Sequence, residues 1–218
     1  LSHLPRALKR IDEGNGPRTT NLFVGNTGDN EGAGQLDYYE ADGTPILSSS
    51  FTVPPAGATV FDLGEEEHLP NQGTWATILA SDQPFLLGEV YYEESAKLSV
   101  ATYGTEVADS LSLPRVARTD AEHTVFSVQS LAPTEAPITI SYFDLSGALI
   151  FSQVTTLQPY GWARYDQGQI PELGDEFQGS AVIESTVPIM AQVDEYVNAY
   201  ALDVNIVRGG DVKIEPKQ

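Results

Sequence analysis

The chain contains two copies of one sequence pattern, and this repetition constrains its fold more than any other feature. Leu4-Pro5-Arg6 opens the first copy and Leu113-Pro114-Arg115 opens the second. A later tyrosine recurs as Tyr38 and Tyr142, 104 residues apart. Such a period is too long for a solenoid repeat, which has about 20 to 50 residues, and is close to the size of one independently folding domain. The pattern therefore predicts two similar domains in series.

Short strand signals fill both copies. Each is rich in β-branched or aromatic residues, and turn formers bound most of them. They lie at residues 20–24, 35–39, 75–79 and Leu98–Tyr103 in the first copy and at 124–128, 138–143 and 180–183 in the second. No stretch keeps an apolar period of 3.6 residues over about ten residues, which a surface helix requires. We expect an all-β fold of two tandem antiparallel Ig-like β-sandwiches, residues 1–109 and 110–218.

Turns and aromatic residues also recur in the same order. Ala41-Asp42-Gly43 and Leu145-Ser146-Gly147 are expected to form tight hairpin turns, in which glycine supplies a positive φ. Strand aromatics that recur between the copies, among them Phe23 and Phe126, are expected in the cores.

The charge of the chain argues against two classes of partner. Its 31 acidic and 11 basic residues give a net charge of −20. A field of this sign repels nucleic acid phosphates and anionic lipid surfaces, so we expect no nucleic acid partner. No apolar run approaches the roughly 18 residues that span a bilayer, so we expect no membrane insertion.

The residue types of common catalytic sites are absent or scattered. There is no cysteine, which removes thiolate catalysis and zinc–sulfur sites. His3, His68 and His123 have no metal-ligand spacing, and no G-x-S-x-G elbow exists. Carboxylate pairs such as Asp194-Glu195 are expected at solvated edges. We therefore expect no enzyme activity and no cofactor.

The acidic loops leave calcium binding as an alternative. Residues 29–31 (Asp-Asn-Glu) and 65–67 (Glu-Glu-Glu) offer oxygen ligands of the kind that calcium prefers. Neither loop matches the EF-hand pattern, so a bound calcium stays a minor alternative.

A short segment occurs three times, although the domain body occurs only twice. An acidic residue, an alternating stretch, a proline and a base follow each other at residues 109–115 and again at residues 211–217, and Leu1–Arg6 ends with the same proline and base. The third segment resembles the first strand of a further domain. We expect it to add to a sheet edge of a neighbouring copy, which would build a head-to-tail homopolymer. The contact would involve Leu1, Leu4, Pro5 and Arg6 at one end and Val212, Ile214, Pro216 and Lys217 at the other.

Two alternatives stay open at this stage. The tail can instead pair back on its own domain through the hairpin signal at residues 208–211. Tyr160 and Trp162 stand where the first copy has Ala56 and Ala58, and this surplus of aromatic surface is typical of a glycan-binding platform, an interface anchor or a packed loop.

The order of the landmarks resembles a known kind of repeat. Asn26-Thr27-Gly28 ends a strand, residues 38–43 form a hairpin, and Pro55-Ala56-Gly57 and Ser81-Asp82-Gln83-Pro84 form turns. These motifs are similar to those of the β-sandwich repeats, about a hundred residues long, of bacterial secreted and cell-surface proteins. The resemblance covers most of the first copy and is weaker in the second, which has Gln129-Ser130-Leu131 at the first of these positions.

This resemblance implies a β-sandwich fold and an extracellular or cell-surface location, and it brings no active site with it. The function we expect is that of an extracellular structural protein, a subunit of a self-assembling filament, pilus-like fibre or sheath. A secreted adhesin or carbohydrate-binding module is the alternative.

Overall fold

The structure, a computed structural model, describes residues 2–12, 16–93, 98–103, 107–197, 200–203 and 208–209. Strands make up most of this described part, and it contains no α-helix. Every strand pairing is antiparallel. The predicted all-β antiparallel class is therefore confirmed.

Among the described residues, nine strands form what we call the N-terminal half: β1 Ser2–Lys9, β2 Ile11–Asp12, β3 Pro17–Asn26, β4 Gly32–Tyr39, β5 Pro45–Val53, β6 Ala58–Asp62, β7 Gly73–Ser81, β8 Phe85–Glu93 and β9 Leu98–Tyr103. Eight strands form the C-terminal half: β10 Ala108–Arg118, β11 Glu122–Ser130, β12 Ala136–Asp144, β13 Leu149–Leu157, β14 Trp162–Asp166, β15 Phe177–Val197, β16 Tyr200–Asp203 and β17 Arg208–Gly209. Two short 3-10 helices, Gln167–Gln169 and Pro171–Leu173, lie between β14 and β15.

The N-terminal half contains two sheets. Sheet I has the strand order β1-β7-β4-β5. Sheet II has the order β2-β3-β8-β9, with β6 paired to β3. Buried and exposed residues alternate along β4, which is the pattern of a strand with one face on a core.

The C-terminal half repeats this arrangement with one difference. Strands β13, β12, β15 and β10 follow each other as β5, β4, β7 and β1 do in sheet I, and β14, β11, β15 and β16 correspond to β6, β3, β8 and β9. The single strand β15, 21 residues long, takes the places of both β7 and β8. It pairs with β12 and β10 in its first part and with β11 and β16 in its last part. The two layers of this half are therefore joined into one eight-stranded sheet.

Each half buries its own apolar cluster. Trp75 and Tyr38 lie in the cluster of the N-terminal half, while Phe126 and Tyr142 lie in that of the C-terminal half. Burial raises the pKa of Tyr142 to about 12, so its hydroxyl stays neutral. The expectation for Phe23 is wrong: its side chain is 40% exposed, because the neighbouring Leu22 and Val24 face the core and Phe23 must face the opposite side.

Several main-chain hydrogen bonds recur 104 residues apart. Asn26 N donates to Gly57 O at 2.9 Å, and Ser130 N donates to Gly161 O at 2.8 Å. Gly43 and Gly147 both close their turns with positive φ, 82° and 83°. These matched bonds support the division into domains 1–109 and 110–218, which we keep as a prediction.

Candidate functional site: the junction between the halves

A hairpin tip of the N-terminal half contacts a turn of the C-terminal half. Trp162 N donates to Ala41 O at 3.0 Å. A Cβ added at Gly43 would come closer to the main-chain oxygen of Pro159 than real Cβ atoms come to any atom. Only glycine therefore fits this contact, in addition to the positive φ that the turn requires.

Tyr160, one of the two predicted ligand-contact residues, packs within this junction. Its ring lies 5.5 Å from the ring of Tyr39, centroid to centroid. Tyr160 has a φ of +58°, in the left-handed region, and Ala56 has the same conformation at the corresponding turn. Trp162, the other predicted residue, is partly buried in β14, with its indole Nε1 buried. The structure thus brings both aromatic residues to a contact within the chain.

A cleft of about 540 Å³ opens beside these aromatic rings. Residues of both halves line it: His3, Asp37, Tyr39, Ile78, Ala80, Val107, Leu131, Tyr160 and Pro188. Two aromatic rings, a carboxylate and an imidazole are groups that can hold a small polar ligand.

His3 lies at the inner wall of the cleft and is only 3% exposed. Burial lowers the pKa of His3 from 6.5 to about 4, because the charged imidazolium is poorly solvated there. The side chain is therefore neutral at physiological pH.

A buried ion pair crosses the junction, and a second, partly exposed group of ion pairs lies beside it in the C-terminal half. Arg6 of β1 binds the carboxylate of Asp194 in β15, and both side chains are almost fully buried. Arg115, the arginine of the second Leu-Pro-Arg, binds the next carboxylate along the strand, Glu195, and also Glu122 with two bonds of 2.7 Å. The bonds from Glu122 and Glu195 raise the pKa of the Arg115 guanidinium. The expectation that Asp194 and Glu195 lie at a solvated edge is therefore wrong, because both carboxylates are ion-paired.

A further buried polar contact crosses the junction. Gln192 Nε2 donates to Glu89 Oε1 at 2.5 Å, and Gln192 and Glu89 are 3% and 2% exposed. The guanidinium of Arg18 lies 5.6 Å from the ring centre of Tyr91 and 5.9 Å from that of Tyr196. The two halves are therefore joined by charge, amide and ring contacts that exclude water.

The residues predicted for assembly are only partly described. Leu4 is buried in the N-terminal core and Arg6 binds Asp194, so neither side chain faces a neighbouring copy. Pro5 lies in β1. The remaining predicted contact residues lie outside the described residues: Leu1, Val212, Ile214, Pro216 and Lys217.

The last described piece of the tail pairs with the C-terminal half. Arg208 and Gly209 lie opposite Ser112 and Leu111 on β10. This is the alternative in which the tail returns to its own domain. Of the described residues, those of β1 form a ladder with β7 alone.

One carboxylate of the acidic loops considered for calcium has a partner within its own loop. The Glu66 carboxylate accepts bonds from the main-chain N and the Nδ1 of His68, at 3.0 and 2.9 Å. The bond from the main-chain N of His68 is the main cause that lowers the pKa of Glu66. Asn30 uses its main-chain oxygen to accept a bond from Asn26 Nδ2. In the described part of the chain, no three histidine or acidic side chains cluster in a way that would hold a metal ion.

No helix among the described residues has the length and apolar character needed to cross a bilayer.

Comparison with known proteins leaves the family open. No protein-family model matches the chain, and no curated protein matches it. One matching solved structure is described as "Crystal Structure of Thermotoga maritima 1070". The match has a TM-score of 0.40 and 15% identity, and covers 48% of this chain and 90% of the other.

Proposed function

We propose that the protein is an extracellular structural protein, a subunit that assembles head to tail into a filament or sheath through its terminal strands. The observation that supports the proposal is the edge strand β1, which within the described residues forms a ladder with β7 alone. The described end of the tail, β17, pairs with β10 of its own copy, and the segment 211–217 that follows it in the sequence resembles the first strand of a further domain.

The corresponding edge in the N-terminal half belongs to β1. Within the described residues, β1 has a ladder partner on one side only, which is β7. The edge of a sheet offers unpaired main-chain N–H and C=O groups to an incoming strand. In our proposal, the tail of one copy adds to this edge of the next copy, and the main-chain bonds supply most of the affinity.

The burial of Leu4 and Arg6 restricts the form of this contact. Since these side chains serve the core and the junction of their own chain, the incoming strand meets the main chain of β1 and not its side chains. Neighbours joined in this way form a heterologous contact, which grows into an open filament when the rotation between copies does not close a ring.

Removal of residues 211–218 tests the proposal. Negative-stain microscopy of the full chain should show fibres, and the shortened chain should remain folded but form none. A chain in which the same eight residues are replaced by glycine and serine is the matched control, and it should behave like the shortened chain. Fibres of unchanged length from the shortened chain, or a full chain that stays monomeric at high concentration, would contradict the proposal.

The cleft beside Tyr39 and Tyr160 favours a second candidate, a secreted adhesin or carbohydrate-binding module. Sugars stack on aromatic rings and bond to carboxylates, and Asp37 lines the same cleft. A glycan array tests this candidate. Tyr160→Ala should abolish binding and Tyr160→Phe should retain it, whereas absence of any response from the unchanged chain would count against this candidate.

A further inference from the structure

An apolar patch lies on the outer face of sheet II. Phe23, Val60 and Leu86 are 40%, 50% and 61% exposed. They lie on the adjacent strands β3, β6 and β8, with Phe23 opposite Val60 and opposite Gly88. A contiguous apolar patch on a soluble chain of such high charge is typical of an interaction surface.

The corresponding face of the C-terminal half is covered. Ser127 lies opposite Arg164 and Gln192, just as Phe23 lies opposite Val60 and Gly88. Corresponding residues are 104 positions apart, so the strand register is the same in both halves. Ser127, Gln192 and Asp194 are 1%, 3% and 1% exposed. The N-terminal half covers them: β1 lies against β11 and β15, and Arg6 binds Asp194. A face that is buried in one half is thus open in the other.

The hairpin tip of the N-terminal half, which makes this contact, has a counterpart in the C-terminal half that makes no such contact within the described residues. The hairpin tip Ala41-Asp42-Gly43 contacts the C-terminal half, and Leu145-Ser146-Gly147 is the matching tip. Leu145 is 84% exposed. A Cβ added at Gly147 would meet no atom within 4 Å, in contrast to one added at Gly43.

The hairpin tip has the small residue and the turn has the large one at the contact within the chain, and this order is reversed in the corresponding pair. Within the chain, the main-chain oxygen of Ala41 accepts the bond from Trp162 N, so a small and a large residue stand at this main-chain contact. The matching pair is the large Leu145 and the small Ala58, which is exposed. Since interfaces are packed as densely as protein interiors, a large residue on one side can replace a large residue on the other.

The ionic groups are compatible with this contact as well. Arg115 is the counterpart of Arg6, and the position that matches Asp194 is Val90. Arg115 already binds Glu122 and Glu195 within its own half, so it brings no uncompensated charge to an apolar face.

We infer that a second copy of this chain docks its C-terminal half, with the tip Leu145-Ser146-Gly147, on the patch around Phe23, Val60 and Leu86. The contact repeats between copies the arrangement that joins the two halves within one copy. This inference rests on the proposed function for the identity of the partner, which is the next copy in a head-to-tail assembly.

Cysteine trapping tests the contact because the chain contains no cysteine. Full-length Leu145→Cys and Ala58→Cys chains are mixed and oxidised, and mixed dimers are measured on non-reducing gels. Val154→Cys mixed with Ala58→Cys is the control, since Val154 is 75% exposed on β13, away from the tip. We expect trapping about tenfold faster than in the control, because docking raises the local concentration of the two thiols.

Trapping no faster than in the control would overturn the inference, as would preferential cross-linking of Ala58→Cys chains to each other. Fibres without this cross-link would leave the strand-addition proposal standing alone. The cross-link without fibres would support the docking contact and contradict the filament.

A second experiment uses charge at the exposed positions. Leu145→Asp and Val60→Asp should each weaken association in sedimentation velocity, whereas Val154→Asp should not. A mixture of the first two variants should associate more strongly than either variant alone, because each variant keeps one intact docking surface. If neither variant changes the sedimentation of the full chain, the contact lies elsewhere.

Discussion

The two hairpin glycines provide a matched test of the junction. Gly43 and Gly147 have almost the same φ, 82° and 83°, so alanine at either position incurs the same cost of a left-handed backbone, about 1–2 kcal/mol. Only at Gly43 would the new Cβ also overlap the Pro159 oxygen of the other half. Because that neighbour is main chain and cannot rotate away, the tip must move.

The movement has a cost that the structure allows us to work out. It breaks the bond from Trp162 N to Ala41 O, worth about 0.5–1.5 kcal/mol. It also separates the rings of Tyr39 and Tyr160, worth about 0.5–1.5 kcal/mol. We therefore expect Gly43→Ala to lower the free energy of unfolding by about 1–3 kcal/mol more than Gly147→Ala.

Urea unfolding of both variants, followed by circular dichroism at a concentration where the chain is monomeric, measures this difference. Hydrogen exchange at the Trp162 amide should also accelerate in Gly43→Ala and not in Gly147→Ala. Equal losses of stability, within about 0.5 kcal/mol as is usual for independent surface sites, together with unchanged exchange at Trp162, would refute the reasoning.

Three further predictions concern charge. The pKa of His3 is about 4 in the folded chain, against 6.5 for a free histidine, so the unfolded chain binds more protons between these pH values. The free energy of unfolding should therefore rise between pH 4 and 6.5, and this residue should contribute about 3 kcal/mol of the rise. Urea titrations of His3→Gln should lack this contribution. Asp194→Ala removes the carboxylate that the buried Arg6 binds and should cost about 3–5 kcal/mol in chemical unfolding, whereas Asp175→Ala, which breaks an exposed pair with Arg118, should cost less than about 1 kcal/mol. Since copies of net charge −20 repel each other, association measured by sedimentation should strengthen as salt rises towards about 0.15 M, where the Debye length is about 8 Å, and weakening would contradict an apolar contact.

The strands and turns could be predicted from the sequence because they depend on local chemistry. Residues 35–39 and 138–143 alternate in hydrophobicity, and they lie in β4 and β12. The predicted strand Leu98–Tyr103 is β9 itself. Gly43 and Gly147 have the positive φ that the turn signal required.

Phe23 shows where the recurrence of a residue type misleads. Phe23 and Phe126 both lie in strands, but the counterpart of Phe126 at the common spacing is Leu22. A shift of one position along a strand moves a side chain to the other face. Phe126 is therefore in the core, while Phe23 is on the outer face of sheet II.

The ionic part of the junction was missed because it joins distant parts of the chain. Asp194-Glu195 has no local sequence signal that separates it from other acidic pairs. The available signal was the arginine that both Leu-Pro-Arg segments share, since Arg6 and Arg115 bind these two neighbouring carboxylates. One sequence does not show which acids the two arginines bind, because that depends on how the halves pack.

The continuity of β15 gives the two halves different responses to a pulling force. In the N-terminal half, β7 and β8 are separate strands joined by residues 82–84, so sheet I and sheet II can be drawn apart at that turn. In the C-terminal half, one strand of 21 residues carries ladder bonds of both layers, and a force on it loads them all together. If the proposed fibre is stretched, the N-terminal half should therefore yield first and extend, while the C-terminal half should hold as a single stiff unit until it unfolds in one step.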